Sequence, residues 1–240
     1  MKSNKWLGTF ALYSPVLLCV LIMLPRLLSP QFGFFDDPSS LVNAQRIQQG
    51  EWGLNDEAAS GRFRPMYWLY FALIYVLSNG QTFSSHSAFW FFLGNLLLWG
   101  AITAMLIHLA RSLGMDRKSS WLAGMSFVLA GPVVENIYTL SKPELQQAFW
   151  MLAAISTSSL FRRASIRLGK VAVILLPALL VLLACLTKET GVLLAVFAGV
   201  SWAIYTAWRL LAGKAETRAP VERGMFFLQA LLGALLYLGL

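Results

Sequence analysis

The stretch Pro65 to Gly80, PMYWLYFALIYVLSNG, decides how this chain is read. Its apolar run, Met66–Leu77, falls short of the about 20 helical residues that cross a hydrocarbon core, and runs of about 10–14 more often lie in the interface. Tyr67, Trp68, Tyr70 and Tyr75 each carry a polar atom on an apolar ring and so favour the headgroup zone. Pro65 suits the first helical position and Ser78-Asn79-Gly80 a stop. The run therefore reads as an interfacial helix that does not cross. Counting it as a span would reverse the side of every loop that follows.

The composition makes lipid the expected solvent. The 240 residues are 58% hydrophobic and 12% charged, with mean hydropathy +0.63. Soluble domains carry about 25% charge, so this chain has too few polar groups to cover a water-exposed surface. Runs long enough to span are Leu7–Leu28, Ala88–Ala110, Trp121–Tyr138, Leu145–Phe161, Val171–Leu186, Gly191–Trp208 and Met225–Leu240. They predict an all-α membrane protein of about seven transmembrane helices, one domain over residues 1–240. A large first outer loop, residues 29–87, holds amphipathic interfacial helices. Lys2 and Lys5 precede the first run, but no small-x-small cleavage site follows it, so it reads as a retained helix and not a signal peptide.

The charges agree with this count. Lys2 and Lys5, then Arg111, Arg117 and Lys118, then Arg162, Arg163, Arg167 and Lys170, then Arg209, Lys214, Arg218 and Arg223 all fall on one side. That is the positive-inside pattern, with a cytoplasmic N-terminus. The net charge of +8 is thus spent on orientation and points to no nucleic acid. Cys19 and Cys185 both sit inside apolar runs and read as small core residues.

The other polar clusters then share the outer side, and charges at membrane depth are costly and usually functional. Asp36-Asp37 follows Phe34-Phe35. Asp37 before Pro38 is a sound helix cap, while Asp36, beside a second acid and aromatic bulk, suits a general base. Arg62-Phe63-Arg64-Pro65 fits either a headgroup anchor or a fork-shaped anion clamp. Pro143 and Glu144 start a helix well, which leaves Lys142 without a capping role. Glu135 stands near the outer end of its run. Lys188-Glu189 lies in a tight polar hinge, a wet turn or a phosphate-binding pair. His86 is an isolated supporting candidate. No Gly-rich phosphate loop, GxSxG, HExxH or Cys/His metal spacing is present.

Taken in order, these phrases resemble the GT-C superfamily of integral-membrane glycosyltransferases, which includes protein O-mannosyltransferases and bacterial aminoarabinose transferases. The matching phrases are Phe35-Asp36-Asp37, Gln49-Gly50-Glu51-Trp52, Arg64-Pro65-Met66-Tyr67-Trp68, Pro132 to Glu135, Lys142-Pro143-Glu144 and Leu186 to Glu189. The resemblance implies inverting sugar transfer from a polyprenyl-phosphate-linked donor to an acceptor hydroxyl. Asp36 would act as general base with Asp37 as neighbour or substitute. Arg64, Lys188, Arg62 and Lys142 would hold the donor phosphate, with Glu189, Glu144, Glu135 and His86 in support. No cofactor is required, though paired acids allow a divalent metal. The implied setting is a multi-pass protein of a bacterial inner membrane, active on the periplasmic face. Family members usually run longer, so the chain reads as the N-terminal half of such a fold, which a partner subunit could complete. The competing reading is a lipid-linked sugar flippase, an assembly partner or an inactive fragment, in which the same cations bind a lipid phosphate without chemistry.

The topology has a direct check. Cysteine introduced at Ser84 should react with a membrane-impermeant maleimide on intact cells. Cysteine at Ser119 or Ser165 should react only after permeabilisation. Labelling of all three from outside would sink the seven-span count.

Overall fold

The computed structural model describes residues 5–32, 36–51, 63–79, 85–139, 142–163, 170–212 and 219–239. Among them every regular element is a helix and none is a strand. In chain order these are α1 (Lys5–Leu12), α2 (Ser14–Leu28), α3 (Asp36–Gln48), α4 (Pro65–Leu77), α5 (Ser85–Ser112), α6 (Arg117–Val128), α7 (Gly131–Tyr138), α8 (Glu144–Arg163), α9 (Lys170–Thr187), a 3-10 turn (Glu189–Val192), α10 (Leu193–Leu211) and α11 (Ala219–Leu238). Two helical stretches, Ser87–Ser112 and Glu189–Arg209, are long and apolar enough to cross a membrane. The apolar stretches Ser14–Leu28, Pro65–Leu77, Ala172–Thr187 and Gly224–Leu238 are shorter.

Two runs that read as single spans are each divided at a proline. Pro15 has no N–H to donate to the carbonyl of Ala11, and a proline ring clashes with the carbonyl four residues back. The Ser14 hydroxyl takes that carbonyl instead, at 2.9 Å, and the helix breaks at Tyr13 between α1 and α2. Pro132 stands in the same relation to Val128, the last residue of α6. Ala130 turns extended and caps α7, accepting from the N–H groups of Val133 and Val134. The run Trp121–Tyr138 is therefore two helices.

Glycines set two stops. Gly114 (φ +90°) ends α5, donating to the Arg111 carbonyl while Met115 donates to Ala110. Gly50 (φ +73°) ends α3 in the same way, with Gly50 donating to Ile47 and Glu51 to Arg46. This is the Schellman arrangement, which needs the left-handed backbone that glycine adopts cheaply. Just past Gly114, the Asp116 carboxylate accepts from the Ser119 N–H at 2.7 Å and caps α6. That hydrogen bond holds the Asp116 carboxyl below its ordinary proton affinity.

The helices gather into two compact units, Met1–Phe149 and Trp150–Leu240. In the first, α5 is the hub and packs on α2, α4, α6 and α7, while α3 packs on α4. Its buried residues Ala88, Phe91, Phe92, Asn95, Leu96, Trp99, Ile102, Thr103, Ile107 and Ala110 follow the helical period along a single face. Cys19 on α2 meets Thr103 on α5 at 3.6 Å and is free, as is Cys185 in the second unit.

The second unit packs α9, α10 and α11 around small residues: Ala154, Cys185, Ala195, Ala230 and Ala234 with Val181 and Leu194. A polar side chain crosses this core. Gln229 of α11 accepts from the Ser158 hydroxyl at 2.8 Å and donates to the Val173 carbonyl at 2.9 Å, tying α8, α11 and α9 together. The outward side of α10 is apolar, with Phe197 and Ile204 each 66% exposed. Such a face suits lipid and is uncommon in water.

Gly233 marks a close helix approach, since a Cβ there would strike the Ala178 carbonyl oxygen and come within 2.8 Å of Val181 Cβ. A backbone oxygen cannot step aside. Gly233→Ala should cost about 1–3 kcal/mol as overpacking, read by denaturant titration in mixed micelles. Gly131→Ala, with open space around it, serves as the control and should be near neutral.

Candidate functional site

The candidate site of the first unit is built on a chain of aromatic rings. Phe71 of α4 is buried and lies 5.4 Å from Phe91 of α5, centroid to centroid. Tyr67 (4.9 Å), Tyr70 (5.8 Å) and Trp68 (6.3 Å) surround Phe71 along α4. Such tilted and edge contacts are favoured by the ring quadrupole, adding about 0.5–1.5 kcal/mol each beyond burial. Residue spacing explains the arrangement: Tyr67, Trp68, Phe71, Ile74 and Tyr75 repeat at helical period and form the buried side of α4.

This cluster holds both sides of the acid pair. Phe32, four residues before Asp36, sets its ring edge-on to Phe91 at 6.1 Å. Ser40, one helical turn after Asp36, lies 3.5 Å from the Tyr67 hydroxyl and is buried. Leu41 and Ala44 continue that buried face of α3. Asp36 and Asp37 form the first turn of α3, where the helix dipole favours acids. The helix starts at Asp36, one residue before the predicted cap at Asp37. Their side chains, like that of His86 in the first turn of α5, lie outside the described residues, as does all of Arg62.

Arg64 meets the same cluster. It caps α4, its carbonyl accepting from the Tyr67 N–H at 3.1 Å. Its guanidinium carbon sits 5.4 Å from the centre of the Tyr67 ring. The tyrosine that meets Ser40 thus also carries Arg64, so α3, one turn past Asp36, adjoins the first turn of α4.

Arg26 is a cation that sequence reasoning passed over. It lies in the last turn of α2 with its guanidinium 5.3 Å from the Phe92 ring and 5.1 Å from the Tyr138 ring. The Tyr138 hydroxyl donates to the Ile22 carbonyl at 2.9 Å, which fixes that ring. Phe92 neighbours Phe91, so Arg26 stands at the same end of α5 as the aromatic cluster. The signal was present in the sequence: Arg26 is the sole charge within Leu7–Leu28.

The remaining predicted residues are placed as follows. Glu135 is exposed on α7, with its carbonyl accepting from the Thr139 hydroxyl at 3.1 Å. Lys142 is half-buried, Pro143 is buried and Glu144 begins α8, all in the first unit. Lys188 and Glu189 belong to the second unit. There Lys188 has extended backbone, and its carbonyl accepts from the Gly191 N–H at 2.9 Å to start the 3-10 turn. Glu189 is exposed. Among the described residues no three His, Cys, Asp or Glu side chains gather as metal ligands.

No family model, no curated protein and no solved structure matches this chain.

Two substitutions separate the scaffold from its cargo. Phe71→Ala removes the ring on which the cluster turns and should cost about 3–5 kcal/mol. Arg64→Gln forfeits a cation–π contact of about 0.5–2 kcal/mol and should leave a folded chain. Thermal unfolding in detergent, monitored by fluorescence-detected size exclusion, reads both. Equal losses would mean that Arg64 is chiefly structural.

Proposed function

We propose that this chain is a multi-pass membrane protein of about seven spans that transfers a sugar from a polyprenyl-phosphate donor to an acceptor hydroxyl, with inversion, at the outer membrane face. The observation carrying this reading is the shared seating of the acid-bearing turn and Arg64. Phe32 and Ser40 bracket Asp36-Asp37, and both rest on the ring cluster over which Arg64 lies. A segment bearing two acids and a cation that share this cluster would supply the two groups that such a transfer needs.

In this reading Asp36 takes the proton of the acceptor hydroxyl as its oxygen attacks the anomeric carbon. The bond from that carbon to the phosphate oxygen breaks, and the electron pair leaves with the polyprenyl phosphate. Arg64 meets the negative charge developing on that phosphate, where a fixed cation in a water-poor site acts most strongly. Lys142 and Arg62 are further phosphate partners, and Asp37 supports or replaces Asp36. Attack opposite the leaving group inverts the anomeric centre. The aromatic rings of α4 offer flat apolar faces beside these charges, suited to a lipid-borne sugar. A divalent ion at the acid pair is compatible with this chemistry.

The test is sugar transfer from a panel of labelled polyprenyl-phosphate sugars, in membranes holding the chain or its variants at matched levels. Asp36→Asn should lower transfer by about 10²–10⁴-fold, the usual range for losing a general base. Arg64→Gln should lower it while the protein stays folded, and a chelator arm reads metal dependence. Donor bound equally by wild type and Asp36→Asn, with no turnover in either, would instead favour a flippase or assembly partner.

A further inference from the structure

A second site lies in the same unit, lined by residues other than the acids and Arg64. A groove of about 540 Å³ runs between α1 and α6. Gly8, Ala11 and Leu12 form one wall, and Trp121 and Leu122 the other. Small-molecule sites span about 300–1,000 Å³, so the size is apt. Arg117 and Lys118 line the groove as well, and both are exposed.

The groove is built, not incidental. Gly8 leaves the space that the Arg117 guanidinium occupies, since a Cβ there would come within 2.5 Å of Arg117 Nη1. The Trp121 indole is pinned as a wall by its N–H, which donates to the Ser14 hydroxyl at 2.9 Å. That hydroxyl is available because the Pro15 break turns Ser14 back onto the Ala11 carbonyl. Among the described residues no acid lines the groove, and the adjacent Asp116 carboxylate is engaged with the Ser119 N–H. Arg117 and Lys118 occupy the first turn of α6, where the helix dipole opposes positive charge. Helix stability therefore does not account for them.

We infer that this groove binds an acidic phospholipid of the inner leaflet, with the phosphate on Arg117 and Lys118 and an acyl chain along Leu12, Trp121 and Leu122. Apolar walls beside two cations complement a molecule that is itself part chain and part anion. A free anion would leave the walls unused, and a zwitterionic lipid would bring its own cation beside Arg117 and Lys118. Basic residues close to the cytoplasmic surface are drawn to acidic lipid, and the charge pattern sets the start of α6, where these two lie, on that side. The inference rests on the membrane reading of the chain and is independent of sugar transfer.

The test uses the full chain in non-denaturing detergent, titrated with phosphatidylglycerol or phosphatidylcholine and read by native mass spectrometry. Wild type should hold phosphatidylglycerol roughly tenfold or more tightly than phosphatidylcholine. Arg117→Gln with Lys118→Gln should abolish that preference, and Arg117→Lys with Lys118→Arg should keep it. Ala11→Trp, at an exposed position, should fill the groove and weaken retention while both cations remain. Thermal unfolding of each variant checks that it is folded. Equal affinity for the two lipids, or an undiminished preference in the double Gln variant, would overturn the site. Full displacement of phosphatidylglycerol by millimolar inorganic phosphate would overturn it in favour of a simple anion site. A chain that stays monodisperse without detergent would remove the membrane premise, an outcome distinct from the others.

Discussion

The contact between Phe71 and Phe91 is the constraint on which the first unit turns. It fixes α4 against the hub helix α5 at a ring separation of 5.4 Å. Tyr67 is positioned by Phe71, and Tyr67 in turn meets Ser40 on α3 and the guanidinium of Arg64. Phe32 meets Phe91 edge-on. Phe32 and Ser40, which flank the acid pair in sequence, thus both touch one apolar assembly.

Much of the helical content was legible because apolar residues recur at helical period in long runs. The buried positions of α5, from Ala88 to Ala110, are such a pattern, and α4 ends at Ser78-Asn79-Gly80 where turn residues begin. The two breaks were not read. A window of hydropathy averages over many residues, whereas Pro15 and Pro132 act by removing one N–H each. Both lie in runs whose mean hydropathy stays high across the break, so averaging gave no warning.

The site was legible as a set of charges but not as an arrangement. Asp36, Asp37 and Arg64 stood out because acids and cations are scarce in this chain. The approach of α3 to α4 depends on Ser40 meeting Tyr67 across a gap of 27 residues, and no local pattern encodes that. Arg26 was missed for a related reason. A cation at the end of an apolar run is commonplace, and its setting depends on Phe92 and Tyr138, which come from two other helices. Where the sequence pointed at Lys188 and Glu189, the structure assigns them to the second unit.

The small-residue core of that second unit has a thermal consequence. Its helices meet through Ala178, Ala184, Ala230, Ala234 and Gly233, with backbone nearly touching side chain. In a bilayer such interfaces hold by close packing, because lipid tails are as apolar as the surfaces they cover. Helices that part there expose apolar atoms to hydrocarbon and not to water. The large heat-capacity change that bends the stability curves of water-soluble proteins comes from hydrating those atoms. Within the membrane that source is missing. The stability of this unit would then fall almost linearly on warming, with no fading at low temperature of the kind that leads to cold denaturation.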